Sequence, residues 1–348
     1  MLQRDSARDT QLAGGVTSPA PKEKSIPAPN FAREASPRLL ECSAMIARNS
    51  SRMLLTGASG PIGSALIPSL RSVGFRITRL VHGPKSGEDQ ISWNPAEPLN
   101  PDLVSRFDAV IHLAGETILG RWTPAKMTKI RDSRVKGTHN LSRALAMTRE
   151  KPHVLITASA VGFYGDRADE TLTEESPSGS GFLPEVCREW EAATRPASEA
   201  GIRTAHARFG IVLSPDGGAL GNMLLPFRLG IGGRIGSGRQ WMSWIHIQDL
   251  VGGIHHILKT DLLQGPVNFV APRPVTNADF TKTLASVLSR PALLPVPPFA
   301  LRMLYGRMAD EALLASDRVE PVRLIASGYP FHYSDLRKAL QALLSKSN

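Results

Sequence analysis

The sequence predicts an α/β fold, a doubly wound parallel sheet followed by a smaller, mostly helical C-terminal part. Three observations predict it. Short apolar runs of strand length alternate with helical periods from Met53 to about Val270. A glycine-rich turn, Gly57-Ala58-Ser59-Gly60-Pro61-Ile62-Gly63, joins the first run directly to the first helix. From Thr276 onward the pattern is mainly helical. We therefore expect a disordered extension over residues 1–50, a sheet domain over 53–270 with insertions after 209, and a small helical domain over 275–346.

Residues 1–50 are rich in Pro, Ser and Ala and develop no apolar period. No apolar core follows the first basic residues, and Asp5, Asp9 and Glu23 argue against a transit peptide. Met53–Thr56 then reads as a buried parallel strand. Ile62–Val73 reads as a helix with Ile62, Ala65, Leu66 and Leu70 on one face, and Gly74 stands at its C-terminal end. Arg76–His82, Asp108–Ala114 and Val154–Ser159 are further strands. A long helix begins after Thr123 as N-cap, with Pro124 in its first turn. Thr204–Phe209, Trp241–His246 and Val267–Val270 look like strands, Gly217–Gly238 is a glycine-rich stretch, and a helix runs from Gln248. After a proline-dense break at 295–298, Ser334 is expected to cap a last amphipathic helix bearing Leu336, Leu340 and Leu343.

Composition narrows the function classes. No apolar run approaches the ~20 residues that cross a bilayer, so no membrane partner is expected. Two cysteines, Cys42 and Cys187, are too few for a disulfide framework and lack metal-ligand neighbours, which fits a reducing, cytoplasmic compartment and no metal. The net charge of +10 is dispersed, with no run of basic residues and no aromatics interleaved with Arg. Nucleic-acid binding needs a clustered patch, so that role is not expected. Oligomeric state is left open.

The glycine turn carries the chemistry. A strand ends, the backbone turns tightly, and a helix N-terminus presents unpaired amides to an anion, which suits a pyrophosphate. Gly57 permits the turn, Gly60 the close approach of phosphate, and Gly63 the packing of helix on strand. Ser59, Pro61 and Ile62 complete the candidate cofactor turn. The second strand ends in Arg79, Leu80, Val81 and His82, with Lys85 following and no acid before Glu88. Cations there favour the 2′-phosphate of NADP(H) over the free ribose of NAD(H).

The Gly-x-x-Gly-x-x-Gly spacing resembles that of the extended short-chain dehydrogenase/reductases. Within them, the chain from Met53 onward is most similar to the epimerase family proteins of the short-chain dehydrogenase 39U subgroup. The stretches that carry the likeness are His112–Glu116, Trp122–Lys136, and Leu225–Gly230 leading through Gly236–Gln240 to Trp244–His246. The segment from Thr276 to Gly328 resembles the group's small C-terminal domain. The resemblance implies a Rossmann-type sheet with an NADP site. Leu113, Ala114 and Gly115 would pass the cofactor along the end of a strand, Arg134 would reach its pyrophosphate or a ribose, and Val212 would lie near the nicotinamide. Where many relatives carry Arg against the 2′-phosphate, this chain has His82. Arg79 or Lys85 then shares that task, or the affinity is lower and pH-dependent.

The resemblance breaks at catalysis. Active short-chain dehydrogenases use a Tyr-x-x-x-Lys pair to exchange a proton. Here Val186 stands at the Tyr position and Trp190 at the Lys position. Ser159 matches the catalytic serine, Tyr164 is a candidate proton donor, and His246 is a candidate substitute with Asp249 as its orienting carboxylate. Arg239 is a candidate clamp for an anionic group, and Trp122, Trp241 and Trp244 line a cavity or the core. Two functions are expected: NADP-dependent oxidoreductase or epimerase chemistry on an unidentified small, sugar-like substrate, or NADP(H) binding without turnover.

Overall fold

The computed structural model describes residues 51–345, so the expectation for residues 1–50 lies outside the described residues. Thirteen strands follow the chain among these residues. They are β1 (Arg52–Thr56), β2 (Arg76–His82), β3 (Gln90–Trp93), β4 (Ala109–His112), β5 (Val154–Ala160), β6 (Thr171–Leu172) and β7 (Arg203–Phe209). There follow β8 (Ile211–Leu213), β9 (Trp241–Met242), β10 (Trp244–His246), β11 (Gly265–Phe269), β12 (Val275–Thr276) and β13 (Arg318–Val319). Seven of them form one parallel sheet in the order β11-β7-β5-β4-β1-β2-β3. The chain leaves β1 toward β2 on one side and returns to β4 on the other. That reversal opens a crevice at the C-terminal ends of β1 and β4, where ligands of such sheets bind.

The main helices are α1 (Pro61–Ser72), α2 (Pro124–Met147), α3 (Phe182–Ala192), α4 (Gly218–Arg228), α5 (Ile247–Lys259), α6 (Asn277–Val287), α7 (Pro298–Tyr305) and α8 (Leu336–Leu344). Alternation along each strand decides which helix covers which face. Met53, Leu55, Ala109, Ile111 and Ile156 face a core with Leu66 and Leu70 of α1 and Ile254 and Ile257 of α5. Leu54, Leu80, Val110 and Leu155 face the opposite way, onto Leu141 and Leu145 of α2.

Local signals set the element ends. Pro61 opens α1, and the helix closes in a Schellman turn: Gly74 N–H donates to the Arg71 carbonyl and Phe75 N–H to the Leu70 carbonyl. Gly74 takes the left-handed conformation, at φ +93°, that this turn requires. Thr123 caps α2 by accepting from Lys126 N–H at 3.2 Å.

Two elements are added and two expectations are corrected. The glycine-rich stretch from Gly217 contains α4, whose Leu220, Leu224 and Phe227 join a second core with Phe280, Leu284, Leu336 and Leu340. Trp241–His246 is split into β9 and β10, outside the main sheet, with β10 paired to β8 and β9 to β12. β3 adds an edge strand that its short, mixed sequence concealed. The last helix is capped by Asp335, which accepts from Lys338 N–H at 2.9 Å, and not by Ser334.

Candidate functional site

The glycine turn lies at the switch point between β1 and β4. Gly57 has φ +71°, and a Cβ there would sit 2.7 Å from the Leu113 carbonyl carbon and 2.8 Å from Ala114 N. A Cβ on Gly63 would overlap the Gly57 carbonyl oxygen, so this glycine lets α1 close onto the strand. Gly60 differs: a Cβ there meets only the Gly57 oxygen, at 3.5 Å, and otherwise points into open space. Gly60 is the N-cap of α1, no side chain caps the helix, and its first turn holds no acid. The helix dipole and first-turn amides are left for an anion. Ser59 and Pro61 are exposed, and Ile62 is half-buried.

Beneath the turn runs a buried chain of hydrogen bonds. Thr56 Oγ1 accepts from both Leu113 N–H and Ala114 N–H, at 3.1 Å each. Its own proton therefore goes to His112 Nδ1, 2.7 Å away. That assigns the remaining ring proton to Nε2, which donates to Thr138 Oγ1 at 3.0 Å. Trp190 Nε1 donates to the same oxygen at 2.9 Å. Burial pulls the His112 pKa down to about 4, which keeps the ring neutral as this network needs. Leu113 and Ala114 are thereby held against Gly57.

Arg134 borders the same crevice. Its Nη1 donates to the carbonyls of Glu116, at 2.9 Å, and Ile130, at 3.1 Å. Its guanidinium lies 5.0 Å over the Trp190 ring, and a Cβ on Gly115 would stand 3.3 Å from its Cζ. Val212, half-buried in β8, pairs in register with Ile245.

Arg79 does not belong to this edge. It sits midway along β2, and its Nη2 donates to Asp89 at 2.7 Å, with Arg71 bonding the same carboxylate. Asp89, one residue past Glu88, neutralises the cation. His82 ends β2 and is exposed, as is Lys85. At ~3.3 Å per residue, Arg79 lies roughly 10 Å below His82 along the strand.

Of the three catalytic candidates, Ser159 and Tyr164 are joined through Glu191 and Arg208 in one buried network that does not include His246. Ser159 Oγ donates to Glu191 at 2.7 Å, and Arg208 grips that carboxylate through Nε and Nη2, each at 2.8 Å. Arg208 Nη1 donates to the Tyr164 hydroxyl at 2.9 Å, and that hydroxyl donates to Asn268 Oδ1 at 2.7 Å. Tyr164 is wholly buried, and burial pushes its phenol pKa up. Its expected role as a proton donor is corrected, because its proton is already spent inside a closed core.

His246 is likewise buried. Its Nδ1 accepts from Gln248 N–H at 3.1 Å, so it is the N-cap of α5, and its ring stacks on Tyr333 at 3.7 Å. Burial pulls its pKa to about 4. Asp249 does not orient it, since that carboxylate accepts from His332 N–H at 2.9 Å and Tyr333 N–H at 2.8 Å. The place of His246 is structural.

Val186 packs with Trp122, Ile130, Phe182 and Met308. The indole N–H groups of Trp122, Trp241 and Trp244 go to Ile118, Asp169 and Arg273. Arg239 is exposed. Sequence reading missed Thr56, Thr138, Glu191 and Arg208, which become a network only when distant segments meet. The polar residue ending each buried strand, Thr56 and His112, was the available signal.

Comparison with known proteins agrees with this fold. The NAD dependent epimerase/dehydratase family matches residues 53–269, and a domain of unknown function, DUF1731, matches residues 296–343. An epimerase family protein of Mycobacterium bovis is 41% identical over 288 residues, covering 82% of this chain and 95% of that protein. The crystal structure of the human epimerase family protein SDR39U1 (isoform 2) with NADPH is similar at TM-score 0.78 and 35% identity, over 84% of this chain and 99% of that one. A nucleoside-diphosphate sugar epimerase from Corynebacterium glutamicum reaches TM-score 0.71 and 37% identity, over 88% of this chain and 60% of that one. Since the family match spans the whole parallel sheet and the relatives align along most of the chain, this chain belongs to the NAD dependent epimerase/dehydratase family.

Proposed function

We propose that this chain binds NADP(H) at the Gly57–Gly63 turn and acts as an epimerase-type oxidoreductase on a small, sugar-like substrate. The observation that carries the reading is the uncapped N-terminus of α1, set at the switch point with open space over Gly60. The first-turn amides suit the pyrophosphate. Leu113, Ala114, Gly115 and Val212 line the path toward the nicotinamide, and Arg134 faces the pyrophosphate or a ribose. His82 and Lys85 meet the 2′-phosphate, because Arg79 is held by Asp89. When bound, NADP(H) supplies hydride exchange. Ser159 keeps the place of the catalytic serine, but it is buried with its proton on Glu191, in the same network that holds Tyr164. The proton is moved by a group other than Tyr164 or His246. A cytoplasmic location rests on the scarcity of cysteine, two in the whole sequence.

A second reading, NADP(H) binding without turnover, is favoured by one observation: Val186 and Trp190 are packed into the interior where active relatives carry their Tyr and Lys. Calorimetric titration with NADPH and NADH tests the shared part. We expect tighter NADPH binding, and absence of binding to both overturns the reading. Loss of nicotinamide absorbance with carbonyl or sugar-nucleotide substrates separates the two.

A further inference from the structure

We propose that the face built by α4, α7 and the segments joining them to their neighbours docks on an anionic lipid surface. Two stretches make it, residues 217–240 and 288–309. They lie side by side: Val296 N–H donates to the Arg234 carbonyl at 2.8 Å and Gly236 N–H to the Val296 carbonyl at 2.9 Å. Gly233 sits so close to the Leu294 carbonyl that no side chain fits between them.

Among the described residues, fifteen large hydrophobic side chains are exposed, and eight of them fall on these two stretches. Leu293 is 85% exposed, Met303 71% and Phe299 67%. Phe299 and Met303 are one helical turn apart on α7, while Leu301 of the same helix is buried. The outer side of α7 is thus apolar toward solvent, which is uncommon on a protein surface without a partner.

Charge selects the partner. The two stretches contain six arginines and no Asp or Glu. Arg302 and Arg307 pair with Asp310 and Glu311, outside the stretches. Arg228, Arg234, Arg239 and Arg290 are exposed and form no salt bridge among the described residues. An apolar strip edged by basic residues matches the interface of an anionic bilayer. A second copy of this face would set its four unpaired arginines against another four. The segment before Met53 has eight basic and five acidic residues, so it is no complement either. No described helix is long and apolar enough to cross a membrane, so the contact is one of surface and not of span, and it departs from the expectation of no membrane partner.

The test is co-sedimentation of the full chain with vesicles of phosphatidylcholine alone and of phosphatidylcholine with phosphatidylglycerol. Two double variants accompany it, Leu293→Asp with Phe299→Asp, and Arg228→Glu with Arg290→Glu. All four side chains are exposed, and a thermal melt checks the fold. We expect binding to the mixed vesicles only, weakened at least tenfold in each variant. Equal binding to both vesicle types, no binding, or binding that neither variant changes overturns the proposal. So does an apolar variant that turns a dimer into a monomer in sedimentation equilibrium, which makes the face an interface between copies.

Discussion

Thr56 and His112 end neighbouring strands, stand opposite each other in register, and share a 2.7 Å hydrogen bond under the glycine turn. Thr56 also accepts two backbone amides, so one hydroxyl fixes the end of β4 against the turn. Thr56→Val keeps the shape but strands the Ala114 amide and the His112 acceptor, while Leu113 N–H keeps the carbonyl of residue 56. We expect a loss of roughly 2–4 kcal/mol in urea unfolding, with Thr56→Ser within about 1 kcal/mol of the parent. Equal stability of the Val variant would show that the network contributes little.

Gly60 and Gly63 separate fold from binding. Gly60 has φ −76°, ordinary for any residue, and open space beyond it. Gly60→Asp should leave the melting temperature nearly unchanged while abolishing NADPH binding, by occupying the phosphate space and repelling its charge. Gly63→Ala, by contrast, forces overlap with the Gly57 carbonyl and should lower the melting temperature. Native NADPH affinity in Gly60→Asp would show that the turn is not the site.

Cofactor preference should follow His82 and not Arg79. His82→Glu places a carboxylate at the exposed end of β2, and NADPH should weaken at least tenfold more than NADH. Arg79→Ala removes a partner of Asp89 far from that edge, so both cofactors should change alike. Side-by-side titration checks this, and a selective NADPH loss in Arg79→Ala would return the 2′-phosphate to Arg79.

The sheet was readable because its evidence is local. Buried parallel strands are short apolar runs, and Pro61, Gly74 and Thr123 mark helix ends through their own backbone chemistry. The site was readable only where it is backbone. Gly57, Gly60 and Gly63 announce the turn, but side-chain roles depend on partners brought from far along the chain. Arg79 looked free because its partner Asp89 arrives through a loop. Tyr164 looked available because Arg208 and Asn268 lie 44 and 104 residues away. His246 fell at a strand end, where capping α5 explains it as well as catalysis does.

Asp317 offers a prediction in pH. Its Oδ1 is buried without a hydrogen-bond partner, and burial, with Asp166 nearby, pushes its pKa up to about 8 from 3.8. A carboxyl raised in this way holds its proton in the folded state while the unfolded chain has released it. Its contribution to stability is therefore full below about pH 4 and is lost as pH rises toward 8. His112 and His246 act in the opposite sense. Both fall to about 4 from 6.5, so the unfolded chain takes up protons that the folded one refuses, and stability drops as pH falls through that window. Asp317→Asn removes only the first effect. The variant should match the parent near pH 4 and melt a few degrees higher at pH 8, with the gap widening steadily between. Thermal melts across that range check it, and a constant gap, or one that widens toward acid, would show that Asp317 is ionised in the folded protein.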